Sequence, residues 1–114
     1  MNTLYGIPNC DTVKKARNWL EQQGIEYRFH DLRKDGISQN DIQVWLEALG
    51  PSTLVNKRST TWKQLSEQEK LAAMSDKAAH LLETHPTLIK RPVLSSTAGL
   101  HVGFKADTYN TIFS

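Results

Sequence analysis

The spacing of apolar positions shifts along this chain between the short period of strands and the longer period of helices. Thr3-Leu4-Tyr5-Gly6-Ile7 reads as a short buried strand, closed by a Pro8-Asn9 turn. From Asp11 to Gln23 the apolar residues Val13, Ala16 and Leu20 fall on one helical face, and Gly24 supplies the stop. Ile25, Tyr27 and Phe29 then alternate with Glu26, Arg28 and His30, the pattern of a half-buried strand. The segment therefore predicts a β-α-β unit. Its two strands are expected to be parallel, because a crossover of this length is a helix and not a hairpin.

The middle of the chain predicts helices. Ser38 can cap one that carries Ile42, Trp45, Leu46 and Leu49 on one face and ends at Gly50-Pro51. Ser66 and Glu69 have capping-box spacing ahead of Leu71, Ala72 and Met74. A further short helix takes in Ala78, Ala79, Leu81 and Leu82 and stops before Pro86. Beyond Pro92, Val93-Leu94-Ser95 and His101-Val102-Gly103-Phe104 flank the turn Ser96-Thr97-Ala98-Gly99-Leu100, which predicts an antiparallel hairpin. Tyr109, Ile112 and Phe113 predict a final short helix folded back on the sheet. The order is β-α-β, a helical insertion over about 37–86, then β-β-α. With the insertion set aside, this is an α/β, thioredoxin-like arrangement: a four-stranded mixed sheet with helices on both faces. The helical insertion falls between the second and third strands.

Length and composition narrow the function. No repeat or linker divides the 114 residues, which are enough to close one core, so a single domain over 1–114 is expected. A net charge of +2, with basic and acidic residues interspersed, gives no footprint for nucleic acid. No apolar run approaches the roughly 20 residues that cross a bilayer, and no signal-peptide core precedes the first strand. A cytoplasmic protein is expected. Cys10 is the only cysteine, so no internal disulfide can form and a reducing compartment leaves it a free thiol.

Cys10 sits where the first strand turns into the first helix. There a thiol faces unpaired backbone N–H groups and the positive end of the helix dipole, and both favour the thiolate that nucleophilic sulfur chemistry needs. Thr12 can add a hydroxyl donor, Lys14 and Lys15 add positive charge, and Asp11 opposes them. A lone cysteine is most often a small buried hydrophobe, but the polar neighbours Asn9 and Asp11 argue against burial. Val13 stands where a C-x-x-C would place its second thiol, so oxidised Cys10 needs an external thiol to resolve it. Two arginines stand out: Arg58 in the polar run Asn56-Lys57-Arg58-Ser59-Thr60-Thr61-Trp62, and Arg91 just before Pro92 and the third strand. A planar guanidinium suits bidentate recognition of a carboxylate or oxyanion, although a single arginine is more often a solvated surface group. Thioredoxin-like folds carry a cis-proline at this place, which makes Arg91-Pro92 the candidate. The four histidines, at 30, 80, 85 and 101, lack metal-ligand spacing and read as surface residues. Trp19, Trp45 and Trp62 read as core or helix-packing residues.

The runs Tyr5-Gly6-Ile7-Pro8-Asn9-Cys10-Asp11-Thr12-Val13-Lys14-Lys15-Ala16, Asp31-Leu32-Arg33-Lys34-Asp35-Gly36, Asn56-Lys57-Arg58 and Ile89-Lys90-Arg91-Pro92-Val93 resemble the arsenate reductase/Spx family, especially its small YffB-like members. The resemblance spans essentially the whole chain. It implies a thioredoxin fold with a helical insertion, and in the glutaredoxin-linked arsenate reductases a single cysteine that attacks arsenate and is resolved by glutathione. Cys10 matches that cysteine, and Arg58 and Arg91 match two of the three arginines that hold the oxyanion. The third belongs to an arginine-proline motif near the C-terminus, where this chain has Val102-Gly103-Phe104-Lys105-Ala106-Asp107. Asp11 beside an oxyanion site is also unfavourable. Spx-type members bind RNA polymerase and sense oxidants through a C-x-x-C, which Val13 removes. The expectation is a monomeric, glutathione-dependent thiol reductase without a bound cofactor or metal. Cys10 is its catalytic residue, and Asn9, Thr12, Arg58, Arg91 and Pro92 bind substrate. Its partners are glutathione and, as a candidate, glutaredoxin. Arsenate reductase and a non-catalytic Spx-like regulator of RNA polymerase stay open as alternatives.

Overall fold

Strands β1 (Thr3–Gly6), β2 (Arg28–Asp31), β3 (Val93–Ser96) and β4 (Gly99–Val102) form one mixed sheet in the order β2-β1-β3-β4. The computed structural model describes residues 2–75 and 77–114. β1 pairs with β2 in parallel and with β3 antiparallel, and β3 and β4 form the antiparallel hairpin. This is the thioredoxin-like α/β sheet that the element order implies. Contacts group the chain into two units: one up to Asp35 and from Arg91 onward, the other from Gly36 to Lys90.

In the first unit, helix α1 (Asp11–Gln22) buries Val13, Ala16 and Leu20 completely, the three positions that the helical period selects. It stops where the sequence indicates. Gly24 adopts φ +67°, its N–H bonds to the Glu21 carbonyl, and the Ile25 N–H bonds to that of Leu20. That is a Schellman ending, and glycine enters the left-handed region without a Cβ penalty. Leu4 and Leu94, paired across β1 and β3, pack with Ala16, Leu20 and Tyr109. Tyr109 comes from helix α7 (Ala106–Ile112), so α1 and α7 cover the same sheet face. Trp19 meets the Tyr109 ring edge-on at 5.7 Å, with Phe104 and Phe113 around them.

β1 and α1 approach so closely that a Cβ on Gly6 would lie 2.7 Å from a Val13 methyl carbon. This contact fixes the end of β1 against the start of α1, and the chain between them carries Cys10.

Among the described residues between β2 and β3, every regular element is helical. Helix α2 (Gln39–Leu49) starts at Ser38, whose hydroxyl accepts the Asp41 N–H, and it buries Ile42, Trp45 and Leu46. Pro51 does more than end it, because it opens the short helix α3 (Pro51–Leu54). The polar run after Asn56 hides helix α4 (Thr60–Gln64), capped by Ser59. Helix α5 (Glu67–Ala73) has the full capping box of Ser66 and Glu69. The backbone bond from Ser66 holds the Glu69 carboxyl below its ordinary pKa. Helix α6 (Ala78–Thr84) and a 3₁₀ turn at Pro86–Leu88 complete the unit.

Several local expectations need correction. Residues 25–27 keep the alternating burial of a strand, but the ladder begins only at Arg28. The hairpin turn is Thr97-Ala98, with Ser96 facing Gly99, because the Ser96 hydroxyl takes the Ala98 N–H and extends pairing to the loop. Phe104 leaves the strand to join the core beneath α7. In α5 Ala73 is buried, while Leu71 is 73% exposed.

The Gly6–Val13 contact carries a test. Gly6→Ala is expected to destabilise the protein by about 1–3 kcal/mol through overpacking, measured by urea unfolding. In a Val13→Ala background the same change is expected to cost clearly less, since the clashing methyl groups are gone.

Candidate active site

The site is built at the end of β1. Ile7 is buried, while Pro8 and Asn9 are exposed. The Cys10 N–H bonds back to the Ile7 carbonyl at 3.1 Å and closes the turn. Cys10 is the N-cap of α1, with extended backbone angles (φ −87°, ψ 126°), and its carbonyl accepts the first helical bond from Lys14 N–H at 2.9 Å. Its side chain makes no capping hydrogen bond, and the thiol is free and partly exposed. The first-turn N–H groups of α1 therefore stay available to a negative charge at the sulfur position. Asp11, Lys14 and Lys15 are all exposed around it. Thr12 is half-buried, and among the described residues its hydroxyl makes no hydrogen bond to the sulfur.

The sheet register brings a second segment to this end. Tyr5 pairs with Val93 in antiparallel sense, so the chain preceding Val93 runs beside the end of β1. That chain is Arg91-Pro92, and its peptide bond is cis, as expected. Pro92 is buried and Arg91 half-buried, with its Nε shielded from solvent. The Pro92 carbonyl accepts the Gly103 N–H at 2.9 Å, and the Gly103 carbonyl accepts the Tyr109 hydroxyl at 3.3 Å. Sequence reasoning missed Gly103 and Tyr109 as supports of Pro92, because only the β3–β4 pairing brings them there. Burial pushes the Tyr109 phenol well above its ordinary pKa.

On the other side of β1, Gly6 pairs with Asp31, and the Leu32 N–H bonds to the Gly6 carbonyl at 2.9 Å. An open cleft of about 390 Å³ lies there, lined by Ile7, Pro8, Asn9, Asp31, Arg33 and Lys34.

Arg58 belongs to the second unit and is exposed on the loop after Val55. Its N–H donates to the Asn56 side-chain oxygen at 3.1 Å, and the Asn56 N–H is held by the Leu88 carbonyl at 2.7 Å. Val55 bridges to Ile89, so Lys90 joins Lys57, Arg58, Asn56 and Ser52 around a cleft of about 310 Å³. That lining holds three cations and no acid. Of the expected site residues, the first unit brings Asn9, Cys10, Thr12, Arg91 and Pro92 to one end of its sheet. Arg58 instead shares a cationic cleft with two lysines, which the sequence alone did not connect.

The histidines are less peripheral than expected. His30 lies 4.8 Å from the Tyr5 ring, His85 is half-buried, and His101 has a buried Nε2 without a hydrogen-bond partner among the described residues. Only His80 is exposed. Trp45 is buried, while Trp62 is half-buried beneath the ammonium groups of Lys57 and Lys70, each 5.9 Å from its ring. Among the described residues no helix is long and apolar enough to cross a membrane.

The sequence profile of the ArsC family matches residues 5–112. An uncharacterized protein of Haemophilus influenzae is 44% identical over 114 residues, with all of both chains covered. The global transcriptional regulator Spx of Streptococcus pneumoniae is 26% identical over 109 residues, which covers 94% of this chain and 81% of that one. Among solved structures, a YffB protein superposes with a TM-score of 0.93 at 39% identity over the full length of both chains. An arsenate reductase (ArsC) related protein from Brucella melitensis gives a TM-score of 0.76 at 40% identity, covering 99% of this chain and 94% of its own.

The buried phenol behind Pro92 predicts an alkaline sensitivity. In the folded chain Tyr109 holds its proton past the ordinary tyrosine range, whereas the unfolded chain releases it near pH 10. The stability it contributes is thus full below about pH 10 and is lost as pH rises further, by up to about 1.4 kcal/mol per pH unit. Urea unfolding at a series of pH values is expected to show that slope flattened in Tyr109→Phe. Equal slopes in both proteins would show that the phenol stays solvated.

Proposed function

The chain belongs to the ArsC family, and from that premise we propose that it is a cytosolic, monomeric thiol reductase that works with Cys10 alone and takes its electrons from glutathione. The Cys10 thiolate attacks the glutathionyl sulfur of a mixed disulfide. The S–S bond breaks, the substrate leaves as a thiolate that takes a proton from water, and Cys10 becomes glutathionylated. A glutathione thiolate then attacks the glutathionyl sulfur, glutathione disulfide leaves, and Cys10 is restored. The substrate gains two electrons and two glutathionyl groups leave joined, so the cycle closes without a second protein thiol. Glutaredoxin is a candidate partner for the resolving step.

The observation that carries this reading is the placement of the chain's only cysteine at the N-cap of α1, partly exposed and with no capping bond of its own. In that position the thiolate charge that Cys10 carries before attack, and regains when glutathione displaces it, lies where helix N–H groups can meet it. Arg91 and Pro92, at the same end of the sheet, are assigned to align the glutathionyl group with Asn9 and Thr12. Arg58 is assigned to a carboxylate. The Pro92 carbonyl already accepts Gly103, so alignment falls to neighbouring main-chain groups.

Arsenate reduction is the second reading, favoured by the likeness to the ArsC-related protein from Brucella melitensis. Lys105 stands near where the third arginine of arsenate reductases falls, and it lacks the planar fork. Little arsenate turnover with glutathione and glutaredoxin is therefore expected, and robust turnover would establish this reading instead.

Two measurements test the thiol chemistry. Iodoacetamide at pH 7 is expected to alkylate Cys10 faster in the folded protein than in urea. Cys10→Ser is expected to lower turnover of a glutathionylated substrate at least about a thousandfold, as loss of a covalent nucleophile does. A folded thiol slower than the unfolded one, or a cellular role unaffected by Cys10→Ser, would instead favour a non-catalytic regulator of the Spx kind.

A further inference from the structure

We propose that the cleft between Ile7-Pro8-Asn9 and the turn that begins at Asp31 is an anion subsite, in which Arg33 and Lys34 hold a carboxylate of the disulfide that Cys10 attacks. This rests on the thiol-reductase reading and adds to it a substrate class: disulfides carrying a free carboxylate.

The first support is position. One wall of the cleft is the three residues immediately before Cys10, and the other is the turn that follows β2. The Gly6–Asp31 pairing and the bond from Leu32 N–H to the Gly6 carbonyl tie that turn to the end of β1. The cleft is thus built onto the segment that carries the nucleophile.

The second support is charge. Three ionisable groups line the cleft, Asp31, Arg33 and Lys34, and the acid is already engaged. Asp31 Oδ1 accepts the backbone N–H groups of Arg33 at 2.9 Å and Lys34 at 3.1 Å. Asp35 Oδ2 accepts the Asp31 N–H at 3.1 Å. Both carboxylates therefore hold the turn. Arg33 and Lys34 are exposed, and neither forms an ion pair among the described residues. Two exposed cations against one lining carboxylate, on a turn fixed by its own hydrogen bonds, suit a carboxylate, with the guanidinium offering a fork and the ammonium a point charge. Ile7 and Pro8 give the cleft an apolar side for the adjoining carbons.

The test compares two disulfide reagents, dithiobis-nitrobenzoate with two carboxylates and uncharged dithiodipyridine, each of which oxidises the Cys10 thiolate to a mixed disulfide and releases one aromatic thiolate. The readout is the ratio of their rates at low salt. In Arg33→Gln/Lys34→Gln that ratio is expected to fall about threefold to tenfold below wild type, the scale of two exposed charges near a reacting group. In the wild type alone it is expected to fall similarly as salt rises from about 20 mM to about 500 mM, which tests the charge effect without any substitution. A ratio unchanged in the variant while Cys10 still reacts with both reagents overturns the subsite and leaves the reductase reading standing. A Cys10 that reacts with neither reagent overturns both.

Discussion

Gly6 is the position on which the arrangement depends. It ends the central strand, lies against Val13 of α1 with no room for a Cβ, pairs with Asp31, and accepts the Leu32 N–H through its carbonyl. The strand that begins after Pro92 runs along its other side. A Cβ there would lie 2.7 Å from a Val13 methyl carbon, so the lack of a side chain at Gly6 lets α1 start close against the end of β1, with Cys10 in the turn between them.

Around that end, electrostatics divides the labour. The start of α1 turns its first-turn backbone N–H groups and the positive end of its dipole towards the Cys10 position. Asp11 opposes this from an exposed position where water screens it. Asp31 and Asp35 accept backbone N–H groups of the turn on which Arg33 and Lys34 are exposed. In the second unit, the bridge between Val55 and Ile89 gathers Lys57, Arg58 and Lys90.

Much of this was legible in the sequence wherever the deciding physics is local. The α1 face, its glycine stop, the Ser38 cap and the Ser66–Glu69 box follow from a few consecutive residues; the parallel β1–β2 pairing follows from the length of the crossover, and the cis Arg91–Pro92 bond from the likeness to thioredoxin-like folds. What escaped depends on distant pairing or on elements too short to show a period. Helix α5 has seven residues, too few to show a period, and its packing turns Ala73 inward while Leu71, on the opposite side of the helix, is exposed. Helix α4 hides in a run rich in serine and threonine. The support of Pro92 by Gly103 and Tyr109, and the company that Arg58 keeps, arise from hydrogen bonds between segments far apart in the chain. Motif likeness pointed to Arg58 and Arg91 as a pair, and the fold assigns them to different units.

The central claim is that Cys10 is a monothiol nucleophile that accepts and releases a glutathionyl group. Intact-protein mass spectrometry after brief exposure to glutathione disulfide at pH 7 tests it most directly. A single added glutathionyl group is expected, absent in Cys10→Ser, formed faster than on the urea-unfolded chain and removed on adding reduced glutathione. A folded protein that stays unmodified while the unfolded chain reacts would show that the fold shields Cys10, and would contradict the account.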